Sequence, residues 1–269
     1  MNSLAFEFYE KAVKDGAEES TFSKVVYLDE HTELSFDDVK NMCPEFPKGW
    51  YELRRLSAKD KIDFVQEYWK LSLAFVPNFN SFITAFFSTF DDIGIFLFEY
   101  PYEDKYTAEM VYSSADNRSF FRGSIGASRE TIHQFAYQFN NTLPSDYLSF
   151  LKVHNGFAKG SDQGILPTFA VQERSQQLHE YMMNRSNLAT CRGKPVEPNS
   201  LIPFYDSHGI GDFQCFYLDW RPGMDAGNVY YSSSDNTISD YTSIKNLSEQ
   251  LAFSSFFDWL IFYLEEFEL

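Results

Sequence analysis

Two stretches of the chain repeat a pattern of aromatic and acidic residues that is typical of a β-hairpin. The segment DDIGIFLFEY, residues 91–100, matches GDFQCFYLDW, residues 211–220. Each segment has the length of a strand and is followed by a similar phrase, VYSSADN at 111–117 and VYYSSSDN at 229–236. The repeat predicts two strand pairs of one design, and we expect both serine-rich phrases to leave strands, with Asp-Asn at the turn. Common ancestry and structural mimicry of the two hairpins are both left open.

Apolar residues elsewhere recur at the three- and four-residue spacing of helices. The spacing predicts a first helix that ends near Gly16, a helix that begins after Ser57 and ends before Pro77, and helices at 128–139 and 143–156. A last helix is predicted from an apolar face whose members are Phe256, Trp259, Leu260, Tyr263, Leu264 and Phe267. Ser255 with Asp258 is expected to cap this helix, and Ser57 with Asp60 is expected to cap the helix that begins after Ser57.

Three other stretches carry no predicted helix or strand. Two are polar: one runs to about Asp38 and the other spans 172–200. The third, CPEFPKGW at 43–50, has two prolines and a glycine and is predicted to be a loop.

The composition indicates a folded protein of the cytoplasm. An aromatic share of 19% supplies enough large apolar side chains for a sizeable core. There is no run of about 18 apolar residues, and the first residues lack the basic start of a secretory signal. Cys43, Cys191 and Cys215 form no CxxC pair and no disulfide framework, so we expect reduced thiols.

The net charge of −17 is unevenly distributed. Residues 1–120 have a net charge of −10, residues 121–199 of +2, and residues 200–269 of −9. A strongly acidic surface repels nucleic acid and favours encounter with basic proteins, although it also serves solubility. The charge therefore argues against nucleic acid as a partner.

No motif of catalysis, metal binding or cofactor binding stands out. The triplet Asp206–His208 holds the residue types of a catalytic triad, but a triad converges from separate elements, and there is no GxSxG. The glycines of GIGD, 209–212, precede a strand pattern, so they predict a tight turn and not a nucleotide loop. No two histidines lie at metal-ligand spacing. We therefore predict no catalytic residue, no metal and no cofactor.

The second half of the chain resembles the SUKH superfamily, which groups bacterial toxin-immunity proteins with a fungal regulator of cell-wall assembly. The segment LPSDYLSFLKVHNG, 143–156, is similar to the family pattern LPxxYxxFLxxxNG. LIPF at 201–204, the strand GDFQCFYLDW, and the closing SFFDWLIFYL, similar to SFxxFL, follow in the family's order. The resemblance covers about residues 128–267.

The resemblance implies an α+β fold in which helices pack on a curved, mostly antiparallel sheet. It further implies a SUKH-like domain over 128–269. Residues 1–127 would then form an N-terminal helix and β-hairpin region, which the repeated hairpin suggests is a divergent copy. Members of the family act by binding proteins and have no shared catalytic residues.

We therefore predict a non-enzymatic, immunity-type protein that neutralises a partner toxin by occlusion. The expected partner is a basic, nuclease-type toxin domain, with no role for nucleic acid or a membrane. The predicted contact residues are Asp206, His208, Asp212, Asp219 and Trp220, because aromatic anchors with a charged rim suit an interface. A regulatory or scaffold protein and an enzyme with an unrecognised site are the alternatives.

Overall fold

The structure, a computed structural model, describes residues 1–14, 22–74, 76–101, 105–183, 188–235, 237–241 and 251–265. The chain divides into two compact units. The first comprises residues 1–71, 80–126 and 157–161, and the second comprises residues 72–79, 127–156 and 162–269. Each unit combines helices with mostly antiparallel strands, so the predicted α+β class is confirmed.

The first unit is built on five strands in the order β1-β2-β3-β4-β5, in which neighbouring strands are antiparallel. The strands are β1 (Lys24–Tyr27), β2 (Phe90–Glu99), β3 (Tyr106–Ser114), β4 (Phe120–Ser124) and β5 (Phe157–Lys159). The helices are α1 (Ser3–Lys14), α2 (Phe36–Met42), α3 (Lys48–Leu53), α4 (Ala58–Ser72) and α5 (Pro77–Phe87), of which α5 continues from the second unit's residues 77–79 into the first unit.

Aromatic side chains fill the core of this unit. Tyr9 of α1 stacks on Phe96 of β2 with ring centroids 4.2 Å apart. Trp69 of α4 is fully buried, and its indole Nε1 donates a hydrogen bond of 3.0 Å to the hydroxyl of Tyr112 on β3. The helices are therefore fixed to the sheet by ring packing and by at least one buried hydrogen bond.

A buried ion pair also lies in the first unit. Glu109 of β3 is 5% exposed, accepts a hydrogen bond from the Tyr9 hydroxyl, and pairs with the guanidinium of Arg122 on β4 at 3.0 Å. Burial, reinforced by the negative charge of Glu109, raises the pKa of the Tyr9 hydroxyl well above its ordinary value. Tyr9 therefore stays protonated and continues to donate to the carboxylate.

The second unit contains four antiparallel strands in the order β6-β8-β9-β10, plus a short parallel pair. The strands are β6 (Gly164–Ile165), β7 (Ala189–Thr190), β8 (Leu201–Ser207), β9 (Asp212–Tyr217), β10 (Asn228–Tyr231) and β11 (Thr237–Ile238), with β7 paired to β11. The helices are α6 (Arg129–Gln138), α7 (Ser145–Phe150), α8 (Thr168–Met183) and α9 (Phe256–Glu265), with a 3₁₀ turn at Pro198–Ser200.

Two polar side chains of the segment 143–156 satisfy the first amides of other helices. Asp146 accepts a hydrogen bond of 3.2 Å from the Phe257 amide at the start of α9. Asn155 accepts one of 2.8 Å from the Thr168 amide at the start of α8 and donates one of 3.2 Å to the Thr168 hydroxyl. Because the first amides of a helix have no partner within it, these side chains stabilise both helix starts.

The structure confirms both repeated hairpins. β2 pairs with β3, β9 pairs with β10, and Val111 and Val229 lie in the second strand of each pair. Asp116 accepts a hydrogen bond from the Arg118 amide, and Asp235 accepts one from the Thr237 amide, so each carboxylate bonds to the amide two residues on, as in an Asx turn. The serine-rich phrases are thus strand exits, as expected, and Asn236 lies outside the described residues.

Several expectations for individual elements were wrong. Residues 168–183 form α8, in the stretch where no helix was predicted, and β1 and α2 lie in the earlier polar stretch. The segment 143–156 is helical only over Ser145–Phe150, and α3 begins inside the predicted loop at Lys48. Gly16 and Phe267 lie outside the described residues. The caps at Ser57 and Ser255 are confirmed, because each hydroxyl accepts a hydrogen bond from the backbone amide of the residue three positions later.

In the part of the chain that the structure describes, no helix is both long and apolar enough to cross a membrane. All three cysteines are free thiols, with Cys43 and Cys215 buried and Cys191 exposed.

Replacing Arg122 by Met should lower the free energy of unfolding by about 3–5 kcal/mol, because the buried Glu109 carboxylate would lose its counter-ion. The double variant Arg122→Met/Glu109→Gln should lose less free energy of unfolding than the single variant, since it leaves no unpaired buried charge. Urea unfolding of the three proteins measures this. Equal losses in both variants would contradict a role for the ion pair.

Replacing Asn155 by Ala should lower the free energy of unfolding by about 1–2 kcal/mol, because the Thr168 amide would lose its acceptor. Asn155→Asp should retain most of the stability, since a carboxylate also accepts this bond and favours the positive end of a helix. Thermal and urea unfolding measure the stability of both variants. If the two variants were equally stable, the capping role would be refuted.

Candidate functional site

The turn between β8 and β9, residues 207–211, lies among residues that were predicted to contact a partner. His208, Gly209 and Gly211 all have positive φ angles, of 51°, 69° and 86°. Glycine adopts such angles freely, whereas a histidine there must be held in place by its surroundings. The turn is therefore a locally constrained structure.

Asp162 is the first carboxylate that holds the turn. It is 5% exposed, and its Oδ1 accepts a hydrogen bond of 3.0 Å from the His208 amide. Its Oδ2 accepts the hydroxyls of Tyr205 at 2.8 Å and of Tyr263 at 3.4 Å. One buried carboxylate thus joins the turn to β8 and to α9.

Asp206 is the second carboxylate that holds the turn. It is 1% exposed, accepts a hydrogen bond of 3.1 Å from the Gly209 amide, and pairs with Arg174 of α8 at 3.2 Å. Burial raises the pKa of the Asp206 carboxyl, and the Arg174 charge opposes that rise. Since its side chain is enclosed, Asp206 supports the turn from within.

Asp212 secures the far side of the turn. Its Oδ1 accepts a hydrogen bond of 3.0 Å from the Ser233 amide, which fixes the exit of β10 beside the turn. Burial, followed by a hydrogen bond to Asp212, raises the pKa of the neighbouring Tyr230 to about 12. Tyr230 is therefore protonated at neutral pH.

The five predicted contact residues fall into two groups at opposite ends of β9. Asp206, His208 and Asp212 lie at the turn, whereas Asp219 and Trp220 follow the other end of the strand, roughly 20 Å away along an extended chain. Asp219 is exposed and pairs with Lys194 at 3.0 Å. Trp220 packs against the apolar core over Gly227, where an added Cβ would lie 2.5 Å from the indole. A role for all five in partner contact stays a prediction.

Two exposed apolar residues beside the turn were missed by the sequence analysis. Ile210 is 64% exposed at the tip of the turn, and Tyr181 of α8 is 45% exposed. A Cβ at Gly211 would lie 3.7 Å from the Tyr181 ring, which places that ring against the turn. We call His208, Ile210 and Tyr181 the turn patch. A lone Ile in a glycine-rich turn was the only signal of it in the sequence.

Neither the geometry of a catalytic triad nor that of a metal site is present at the turn among the described residues. No hydrogen bond joins Ser207 to His208 among the described residues, and the His208 ring lies 3.8 Å from Asp162. The same residues contain no group of three or more His, Cys, Asp or Glu side chains able to hold a metal ion. A separate open cavity of about 220 Å³ lies beside α6 and α8, and its lining includes no Asp, Glu, Lys or Arg.

The stability that Asp206 contributes should depend on pH. Because burial raises the pKa of Asp206 in the folded state, the native protein binds a proton more readily than the unfolded chain. Relative to Asp206→Asn, the unchanged protein should therefore lose stability as the pH rises from about 4 through the raised pKa. Urea unfolding across this range measures the difference.

Arg174→Met provides the comparison for this prediction. Removal of the opposing positive charge should raise the pKa of Asp206 further and extend the pH-dependent loss to higher pH. A difference between the unchanged protein and Asp206→Asn that stays constant with pH would contradict the assignment.

Comparison with protein families matches residues 126–261 to the SMI1/KNR4 family (SUKH-1). No curated protein gives a significant match to the chain. The family match spans just over half of the 269 residues and includes the capping residues Asp146 and Asn155 as well as the β8–β9 turn. The chain belongs to the SMI1/KNR4 family (SUKH-1).

Proposed function

We propose that this protein is a non-enzymatic binding module of the immunity type, which neutralises a toxin by occluding it. The observation that carries the proposal is membership of the SMI1/KNR4 family, which includes immunity proteins. In this proposal residues 128–269 form the SUKH-like binding domain, and residues 1–127 form an N-terminal extension.

The charge of the protein supports a basic partner. The net charge is −17, and residues 200–269, which include the turn, have a net charge of −9. An acidic field accelerates encounter with a basic protein and disfavours acidic ones. A basic, nuclease-type toxin domain fits this field.

The turn patch supplies an apolar contact surface at the turn of that acidic region. Ile210 and Tyr181 are exposed, and buried carboxylates fix the backbone beneath them. A rigid surface loses little conformational entropy on binding, so more of the contact energy contributes to affinity. We propose that the turn patch, bordered by Asp212, forms part of the contact with the toxin.

Co-expression with the protein encoded by the adjacent gene tests the proposal. The unchanged chain should restore growth of cells that express that protein, and the two should copurify. His208→Asn/Ile210→Asp should weaken binding at least about ten-fold, since it places a charge at the centre of the contact. Asparagine is chosen at 208 because it tolerates the positive φ of this position.

Met224→Asp is the matched control, because Met224 is 94% exposed in the β9–β10 connection, away from the turn patch. It should leave both binding and growth rescue unchanged. Absence of both a complex and rescue would refute the proposal, whereas a stable complex without rescue would favour a regulatory or scaffold protein. Unchanged binding by the turn variant would refute the role of the turn patch alone.

A further inference from the structure

The outer face of α4 exposes a stripe of apolar side chains. Phe64, Tyr68 and Leu71 are 55%, 41% and 85% exposed. They lie three, four and seven residues apart, a spacing that places side chains next to one another on one face of a helix. Single exposed apolar residues are common, but a row of three on one helix face is typical of an interaction surface.

A neighbouring face of α4 is anchored in the first unit. Val65 and Trp69 are buried, and Trp69 is hydrogen-bonded to Tyr112. Lys61, also buried, forms ion pairs with Asp29 and, at 3.5 Å, with Asp92. These contacts fix the rotation of the helix about its axis, so the apolar stripe is presented to solvent in a defined orientation.

Acidic side chains border the stripe. Asp60 precedes Phe64 by four residues, and Glu67 precedes Leu71 by four, which places both carboxylates on the outer face. Both residues are exposed. Glu67 pairs with Lys70 at 3.0 Å, but a surface pair of this kind is weak and exchanges readily for a cation on another protein.

This combination of charge and exposure restricts what can cover the stripe. A second copy of the chain would bring another charge of −17 and the same carboxylates against the stripe, which repulsion opposes. An anionic lipid surface would be repelled in the same way. A protein segment with apolar residues between lysines or arginines would cover the stripe and meet Asp60 and Glu67 with opposite charge.

We infer that the outer face of α4, formed by Phe64, Tyr68 and Leu71 with Asp60 and Glu67, is a docking surface for a basic, amphipathic protein segment. The inference rests on the proposed function in expecting a basic protein partner. It adds a second contact surface, in the N-terminal region that the family match does not cover.

A synthetic helical peptide of about 18 residues, with leucine on one face and lysine on the other, is the probe. The full chain should bind it, with chemical-shift changes in NMR spectra concentrated on α4. Phe64→Glu/Leu71→Glu should weaken binding at least about ten-fold, because it replaces the apolar centre of the surface with charge. A peptide of equal charge with glutamine in place of leucine should bind at least about ten-fold more weakly to the unchanged chain.

Phe169→Glu is the control variant, since Phe169 is an 82% exposed aromatic residue on another helix, α8. It should bind the leucine–lysine peptide as the unchanged chain does. Equal binding by the α4 variant and the control would overturn the inference. So would sedimentation that shows a dimer of the unchanged chain and a monomer of the α4 variant, because the stripe would then be covered by a second copy.

The growth-rescue assay separates this inference from the proposed function. If the unchanged chain rescues growth and the α4 variant rescues and binds the toxin equally well, the docking surface is refuted and the immunity function stands. If the unchanged chain fails to rescue but the peptide binds through α4, the immunity function is refuted and the docking surface stands.

Discussion

The carboxylate of Asp162 is the constraint on which the β8–β9 corner depends. It is 5% exposed and accepts hydrogen bonds from the His208 amide and from two tyrosine hydroxyls, one on β8 and one on α9. A buried carboxylate is stable only where hydrogen-bond donors surround it. The hydrogen bonds that stabilise the buried Asp162 carboxylate therefore also hold the strained backbone of the turn. The same bonds hold the exposed turn patch in place.

Local sequence signals predicted the parts of the fold that depend on interactions between residues close in sequence. The hairpins follow from apolar, aromatic runs of strand length. The Asp116 and Asp235 turns follow from carboxylates that accept a hydrogen bond from the amide two residues on. The serine caps at Ser57 and Ser255 were predicted for the same reason. Each of these structures involves bonds between residues close in sequence.

Helix α8 was missed because its core face includes polar residues. The buried positions Thr168, Val171, Ser175, Leu178 and Met182 have helical spacing, but two of the five are hydroxyl residues. Ser175 donates its hydroxyl proton to the Val171 carbonyl, so burial leaves no unsatisfied donor. A search for apolar periodicity therefore could not recognise this face.

Because α8 was not predicted, the residues that it brings to the β8–β9 turn were not predicted either. Asp206 was predicted to contact a partner as part of a charged rim around aromatic anchors, and that role stays a prediction. Its buried carboxylate pairs with Arg174, which lies on the helix that was not predicted. The exposed Tyr181 of the turn patch lies on that helix as well, so the sequence alone did not place it beside the turn.

The buried ion pairs also determine where the excess negative charge acts. Glu109 is paired with Arg122, and Asp206 with Arg174, so each of these buried acids is accompanied by a cation. Neutral pairs contribute nothing to the net charge of −17, which must therefore reside on other side chains. Asp60 of α4 is an exposed acid of that kind. Exposed acids contribute to the electrostatic field outside the protein, and such a field can steer a basic partner.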